Sequence, residues 1–137
     1  MINSLVIRAE QIRAFERADE DRFCRQAADY LRSEHSAAVA ELPPAELRRR
    51  VDLAFERARR FHFTQRASVL GYIALMFTVA PEFDCHPVID EILNQDWIPP
   101  DARLAYLAEA ISPEEWDEAR AAGRPGFWDR ASAVASS

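Results

Sequence analysis

The feature that most constrains the fold is an apolar run from Val69 to Ala80, which lies between Thr64 and Pro81. The run is apolar on nearly every side of a helical wheel, as is typical of a helix surrounded by other protein. A proline disfavours helical geometry in the residue before it, so Pro81 limits this helix at its C-terminal end. The sequence therefore predicts a buried central helix over about residues 65–80.

The composition is that of an ordinary globular protein. Its 137 residues suffice for one domain, and 49% of them are hydrophobic while 29% are charged. The apolar run is shorter than the ~20 residues that a membrane-spanning helix needs. The opening residues MINSLVIRAEQ have no basic stretch before an apolar one, so they do not resemble a secretory signal. We therefore expect a cytoplasmic protein that makes no membrane contact.

Helical patterns fill the rest of the chain. Apolar residues follow a helical stripe through residues 9–33, the segment LPPAE at 42–46 opens a second helix, and Ser112-Pro-Glu-Glu115 is a capping box. No stretch alternates as a β-strand does. We predict an all-α, single-domain bundle of about five or six helices over residues 1–123. Residues 124–137 form a C-terminal tail, which Phe127 and Trp128 would dock onto the domain because they are costly to leave in water.

Four local predictions concern helix ends and helix crossings. Thr64 is expected to cap the central helix, and Asp84 to cap the helix that begins near Pro87. Asn94 is expected to end that helix in a left-handed conformation. Gly71, which costs helix stability, is expected to mark a close approach by a neighbouring helix.

Charge is divided unevenly along the chain. All 17 basic residues are Arg, and the net charge is +2 over residues 1–66 but −8 over residues 67–137. An acidic surface repels phosphate backbones and favours a basic partner. The Arg-rich second helix is interpreted as a salt-bridged face, because Glu46 pairs with Arg50 and Glu56 with Arg60 at i,i+4 spacing. We expect no nucleic-acid partner.

Reactive side chains cluster only at Asp84-Cys85-His86, with Asp90 four residues after His86. This spacing makes His86, Asp90 and Cys85 candidate metal ligands, while Cys85 could support thiol chemistry. Neither C-x-x-C nor H-E-x-x-H occurs, and adjacent Cys and His side chains usually diverge. A structural turn is the favoured interpretation, so we predict no enzymatic activity and no cofactor. Cys24 and Cys85 are expected to be free thiols.

The order of several motifs resembles a family of small helical bacterial proteins encoded beside type VI secretion spike, PAAR-type and toxin-effector genes. The motifs are IRAEQIRAF at the start, R-x-x-V-x-x-Y-I-x-L-M-F over Arg66–Phe77, F-D-x-x-P over Phe83–Pro87 and E-I-L-N over Glu91–Asn94. The resemblance covers roughly residues 5–110. It carries over no catalytic residue, and Cys85-His86 and the aromatic tail depart from the pattern.

This resemblance implies a non-enzymatic protein-interaction module, an adaptor or chaperone for a type VI secretion effector or spike component. An immunity protein that binds a toxin, or a small metal or thiol protein centred on Asp84-Cys85-His86, are the alternatives. The surplus aromatic residues are the candidates for contact with a protein partner, and the oligomeric state is left open. These candidates are Trp97, Trp116, Phe127 and Trp128.

Overall fold

The computed structural model describes the backbone of residues 2–123 and 126–129, and side chains from residue 18 onward. Short 3-10 turns lie at Arg59–Phe61, Phe83–Cys85 and Pro100–Ala102, and residues 127–129 form a further helical turn. No β-strand occurs within these described ranges, which confirms the all-α class. The helices are α1 (Ile2–Glu34), α2 (Ser36–Val39), α3 (Pro44–Ala58), α4 (Arg66–Thr78), α5 (Pro87–Leu93), α6 (Arg103–Ala110) and α7 (Pro113–Ala121).

Helix α4 is the central helix that the apolar run predicts. It contacts α1, α2, α3 and α6, so it has protein on several sides. Tyr72 and Ile73 are fully buried, and Met76 is nearly so. Around Tyr72 lie three Phe rings, with centroid distances of 5.3 Å to Phe61, 6.0 Å to Phe63 and 5.2 Å to Phe83. An aromatic cluster of this kind forms the centre of the core.

Helices α1 and α3 pack against each other. The buried positions of α3 recur every three or four residues, as expected of a helix with one core face. Phe23 of α1 contacts Phe55 of α3 with their centroids 5.7 Å apart. Ile12 and Phe15, which the predicted stripe of α1 includes, lie outside the described side chains. The buried residues of α3 are Leu47, Val51, Ala54 and Ala58.

Gly71 marks the crossing of α4 and α6. A Cβ atom built on Gly71 would lie 3.3 Å from Cδ1 of Leu104. The helices approach closely because position 71 has no side chain, and the prediction for Gly71 is confirmed.

The residues just before α4 are held by a distant part of the chain. The expectation that Thr64 caps this helix is wrong, because the N-cap is Gln65 and no side-chain cap forms there. Instead, the Asp101 carboxylate accepts the backbone N–H of Thr64 at 3.1 Å and that of Gln65 at 2.9 Å. These hydrogen bonds lower the pKa of Asp101 to about 2, with the Thr64 side chain contributing most. The start of the central helix is therefore tied to the turn that precedes α6.

Two other helix ends differ from expectation. Asp84 does not cap α5; the N-cap is His86, whose Nδ1 accepts the N–H of Val88 at 3.3 Å. Asn94 ends α5 at φ −110°, so its predicted left-handed conformation is wrong. Its side chain instead donates to the carbonyl oxygen of Asp90 at 2.8 Å. At α7 the predicted capping box between Ser112 and Glu115 is present.

Within the described residues, no helix is both long enough and apolar enough to cross a membrane.

Candidate functional site

The sequence places its reactive cluster at Asp84, and the structure places that side chain in the core. Asp84 is 4% exposed. Its carboxylate accepts two hydrogen bonds from Arg57, at 2.9 Å from Nε and 2.6 Å from a terminal nitrogen, and a third from the Tyr72 hydroxyl. A buried carboxylate with three donors is a satisfied structural group.

His86 and Cys85 diverge from each other, as expected of neighbouring residues. Both ring nitrogens of His86 are occupied, because Nδ1 accepts from Val88 and Nε2 lies 3.0 Å from the Glu118 carboxylate. Among the described residues, no three His, Cys, Asp or Glu side chains come together in an arrangement that could hold a metal ion. The structure therefore does not bring the candidate ligands His86, Asp90 and Cys85 together as a site.

The thiols lie in surroundings that suppress reactivity. Both Cys24 and Cys85 are free, the first buried and the second exposed. Burial, followed by the Asp52 carboxylate, raises the pKa of Cys24 to about 12. Partial burial, followed by the Asp84 carboxylate, also raises the pKa of Cys85. Since the thiolate is the nucleophile, neither environment activates a cysteine.

The Arg-rich face of α3 is bound to carboxylates. Arg48 contacts both Asp21 and Asp52, at 2.6 Å and 2.9 Å. Arg50 lies 3.3 Å from Glu46, as the i,i+4 spacing predicts. Glu56 pairs with Arg59 at 3.8 Å rather than with the predicted Arg60. An arginine whose charge is already paired contributes less to a phosphate-binding surface.

Two large aromatic side chains are exposed together, one on the connection between α5 and α6 and the other on α6. Trp97 is 68% exposed and Tyr106 is 39% exposed. Their rings meet edge to face, with centroids 5.6 Å apart and an interplanar angle of 86°. Among the described residues, no other large hydrophobic side chain is exposed. Exposed Trp and Tyr residues are the side chains most often found at the energetic centres of protein interfaces.

Arg103 fixes the segment that carries Trp97. Its Nε donates to the carbonyl oxygen of Ile98 at 3.0 Å, and a terminal nitrogen donates to that of Gln95 at 2.9 Å. Ile98 itself is buried, so the residue after Trp97 is anchored in the core. Trp97 is therefore exposed on a backbone that is held in place, which lowers the entropy cost of binding through it.

Acidic residues flank this aromatic pair along the chain. Glu91, Asp96 and Glu109 are exposed, and no cationic side chain among the described residues pairs with them. Arg103 is the basic residue of this stretch, and its guanidinium is directed at backbone carbonyls. Asp96 directly precedes Trp97, and Glu109 lies one helical turn after Tyr106 on α6, so acidic residues adjoin the pair along the chain. Acidic neighbours of this kind favour a partner with basic groups.

The other candidate aromatic residues are packed against the domain. Trp116 is half-buried and contacts the core. Trp128 stacks on Phe77 with centroids 5.2 Å apart, and Phe127 contacts Trp128 edge to face at 5.3 Å. Of the candidates for partner contact, Trp97 is the one that the described chain leaves open to solvent.

Sequence reasoning missed Tyr106 and Arg103, the residues that complete this surface. A signal for Tyr106 was present, because it falls off the stripe of Leu104 and Leu107 on α6 and must face elsewhere. No comparable signal marked Arg103, since its acceptors are backbone carbonyls of another segment.

The fold and the surface together define an all-α domain with an exposed aromatic pair on a backbone that Arg103 holds in place. The chain matches no known protein-family profile, no characterised protein and no solved structure.

Proposed function

We propose that this chain is a non-enzymatic protein-interaction module that binds a basic surface of a protein partner through Trp97 and Tyr106. The observation that carries the proposal is the exposure of Trp97 on a segment that Arg103 and the buried Ile98 hold in place. Exposure of a Trp ring to water is unfavourable. A Trp ring that is held in place on the surface binds a partner at a lower entropy cost, so its exposure is explained if a partner covers it.

The charge around the aromatic pair supports the same function. Glu91, Asp96 and Glu109 would attract a basic partner and orient it before contact. The resemblance to proteins encoded beside type VI secretion genes suggests the partner's identity. On that basis the chain is an adaptor or chaperone for an effector or spike component, and it acts in the cytoplasm before secretion.

The test is co-expression of the tagged chain with the products of its neighbouring genes. We expect one product to co-purify in a fixed ratio and Trp97→Ala to weaken that complex by about tenfold or more. Trp97→Phe should retain most of the affinity because it keeps an aromatic ring. Asp117→Ala is the matched control, because this exposed residue on α7 pairs with Arg120 at 2.8 Å, and Arg120 is its one ion-pair partner among the described residues.

Two results would contradict the proposal. One is that the tagged chain purifies without a bound partner after co-expression with each product of the neighbouring genes. The other is a complex whose affinity is the same in Trp97→Ala and wild type. If the bound product is a toxin that the chain neutralises, the chain is an immunity protein that uses the same surface.

A further inference from the structure

The C-terminal segment at residues 126–129 occupies a face formed by α3 and α4. We call this face the arginine face and define it by Arg49, Arg50, Arg57 and Phe77. Trp128 stacks on Phe77 at an interplanar angle of 30°, and the guanidinium of Arg50 lies 5.6 Å from the Trp128 ring centroid. The Trp128 indole therefore contacts both an aromatic ring and a cation.

Phe127 and the backbone complete the contact. The guanidinium of Arg57 lies 5.6 Å from the Phe127 ring centroid. Arg49 donates to the carbonyl oxygen of Trp128 at 2.9 Å, and its guanidinium lies 3.8 Å from the Asp129 carboxylate. The arginine face thus contacts both rings, the main chain and the acidic group of one short segment.

The charges of the face and the segment are complementary. Three guanidinium groups stand against two carboxylates, because Arg49 and Arg50 share Glu46 while Arg57 binds Asp84. One positive charge is left over, and Asp129 supplies the matching negative charge. An aromatic, aromatic, acidic sequence therefore matches the face in shape and in charge.

We infer that the arginine face is a docking site for a partner segment with two adjacent aromatic residues followed by an acidic one, and that residues 127–129 occupy it until displaced. The site shares no residue with the Trp97–Tyr106 surface. The native occupant is held by contacts that are individually weak, since cation–π pairs and exposed ion pairs contribute little each. The Asp129 side chain is 84% exposed, so a competitor can reach it from solvent.

A partner is a better occupant than a second copy of this chain. If two copies exchanged residues 127–129, each contact would be replaced by an identical one, so the exchange would add no binding free energy. The tethered segment also has the advantage of a high effective concentration at its own face. A partner can overcome that advantage when it makes contacts beyond the three residues.

The experiment uses the full chain and a labelled synthetic peptide that carries Gly-Phe-Trp-Asp within Gly/Ser flanks. We expect the peptide to bind the double variant Phe127→Ala, Trp128→Ala at least about tenfold more tightly than wild type, because the tethered competitor is gone. Arg50→Ala in that background should weaken binding severalfold, whereas the control Arg22→Ala, which removes an exposed arginine of α1 that pairs with Asp19, should not. A peptide with Ala in place of Trp should not bind.

The inference is overturned if the peptide binds the folded double variant no better than wild type. If circular dichroism shows that the double variant is unfolded, Asp129→Arg replaces it, because it repels Arg49 without removing a packed ring. Severalfold tighter peptide binding to Asp129→Arg would then support the site, and unchanged binding would refute it. A wild-type dimer that dissociates in the variant would instead show exchange between copies and would also refute a partner segment as the occupant.

Discussion

Arg57 and Asp84 form a two-pronged ion pair across the core, although 27 residues separate them in the sequence. The pair joins α3 to the turn that precedes α5, and the Tyr72 hydroxyl of α4 binds the same carboxylate. Burial, followed by the Asp84 charge, raises the pKa of Tyr72, so the phenol remains protonated and continues to donate. Three parts of the bundle therefore depend on one carboxylate.

Arg57→Ala is expected to lower the free energy of unfolding by about 3–5 kcal/mol, because it leaves a buried carboxylate without its counter-charge. Urea denaturation measures the change. Arg22→Ala, which removes an exposed arginine paired with Asp19, should change stability by less than about 0.5 kcal/mol. Equal losses of unfolding free energy in the two variants would show that the buried Arg57–Asp84 pair stabilises the fold no more than the exposed Arg22–Asp19 pair does.

Asp101 should make stability depend on pH below neutrality. Its pKa in the folded chain is about 2, below the ordinary value of 3.8. A carboxyl whose folded pKa is lowered contributes stability above its unfolded pKa and loses it as pH falls through the folded value. The contribution of Asp101 is therefore complete above about pH 5 and is lost progressively as pH falls toward 2.

Asp101→Asn provides the measurement. Wild type and variant are compared by thermal denaturation between pH 2 and pH 6, since Glu46 and other carboxyls with lowered pKa titrate in both proteins. We expect the difference in melting temperature to be largest near pH 6 and to shrink as pH approaches 2. A difference that stays constant with pH would mean that the Asp101 charge is not what stabilises the Thr64–Gln65 segment before α4.

Gly71 should tolerate one methyl group but not a larger side chain. In Gly71→Ala, a gain in helix propensity of about 1 kcal/mol offsets the small shift forced on Leu104. The net change should stay within about 1 kcal/mol. Gly71→Leu should destabilise by about 1–3 kcal/mol through overpacking, and a second change, Leu104→Ala, should recover part of that loss. Wild-type stability in Gly71→Leu would show that α4 and α6 are not closely packed.

Arg103→Ala should loosen the segment that carries Trp97. Loss of two charge-assisted hydrogen bonds is expected to cost about 1–2 kcal/mol. Hydrogen exchange of residues 94–98 should accelerate, because the Ile98 N–H bonded to the Gln95 carbonyl at 3.3 Å would lose its neighbouring support. Unchanged exchange in this segment, with normal exchange elsewhere, would contradict the role given to Arg103.

The parts of the fold that sequence predicted well depend on local signals. The apolar run placed α4, Gly71 marked its crossing, and Ser112-Pro-Glu-Glu115 fixed the start of α7, because neighbouring residues carry each of these patterns. The missed features join distant residues. Thr64 has a side chain suited to a cap, but Asp101 accepts the N–H groups, and nothing near Thr64 indicates this.

In the candidate site, too, the locally encoded feature was predicted and the contacts between distant residues were missed. Trp97 was predicted as a contact residue, whereas its companion Tyr106 and its support Arg103 depend on how α6 packs beside the preceding segment. Asp84 was identified as chemically unusual from its neighbours Cys85 and His86. Its actual partners, Arg57 and Tyr72, come from other helices, and they make it a structural residue.

The hydrogen bonds from Thr64 and Gln65 to Asp101 also constrain how the chain folds. They close a loop of 37 residues, so they form only after the segment before α6 has been synthesised and has packed beside the start of α4. In a nascent chain that ends before Asp101, the N–H groups of Thr64 and Gln65 lack this acceptor. Such a chain also lacks α6, which packs against α4, so part of the apolar surface of α4 stays uncovered until synthesis has passed α6.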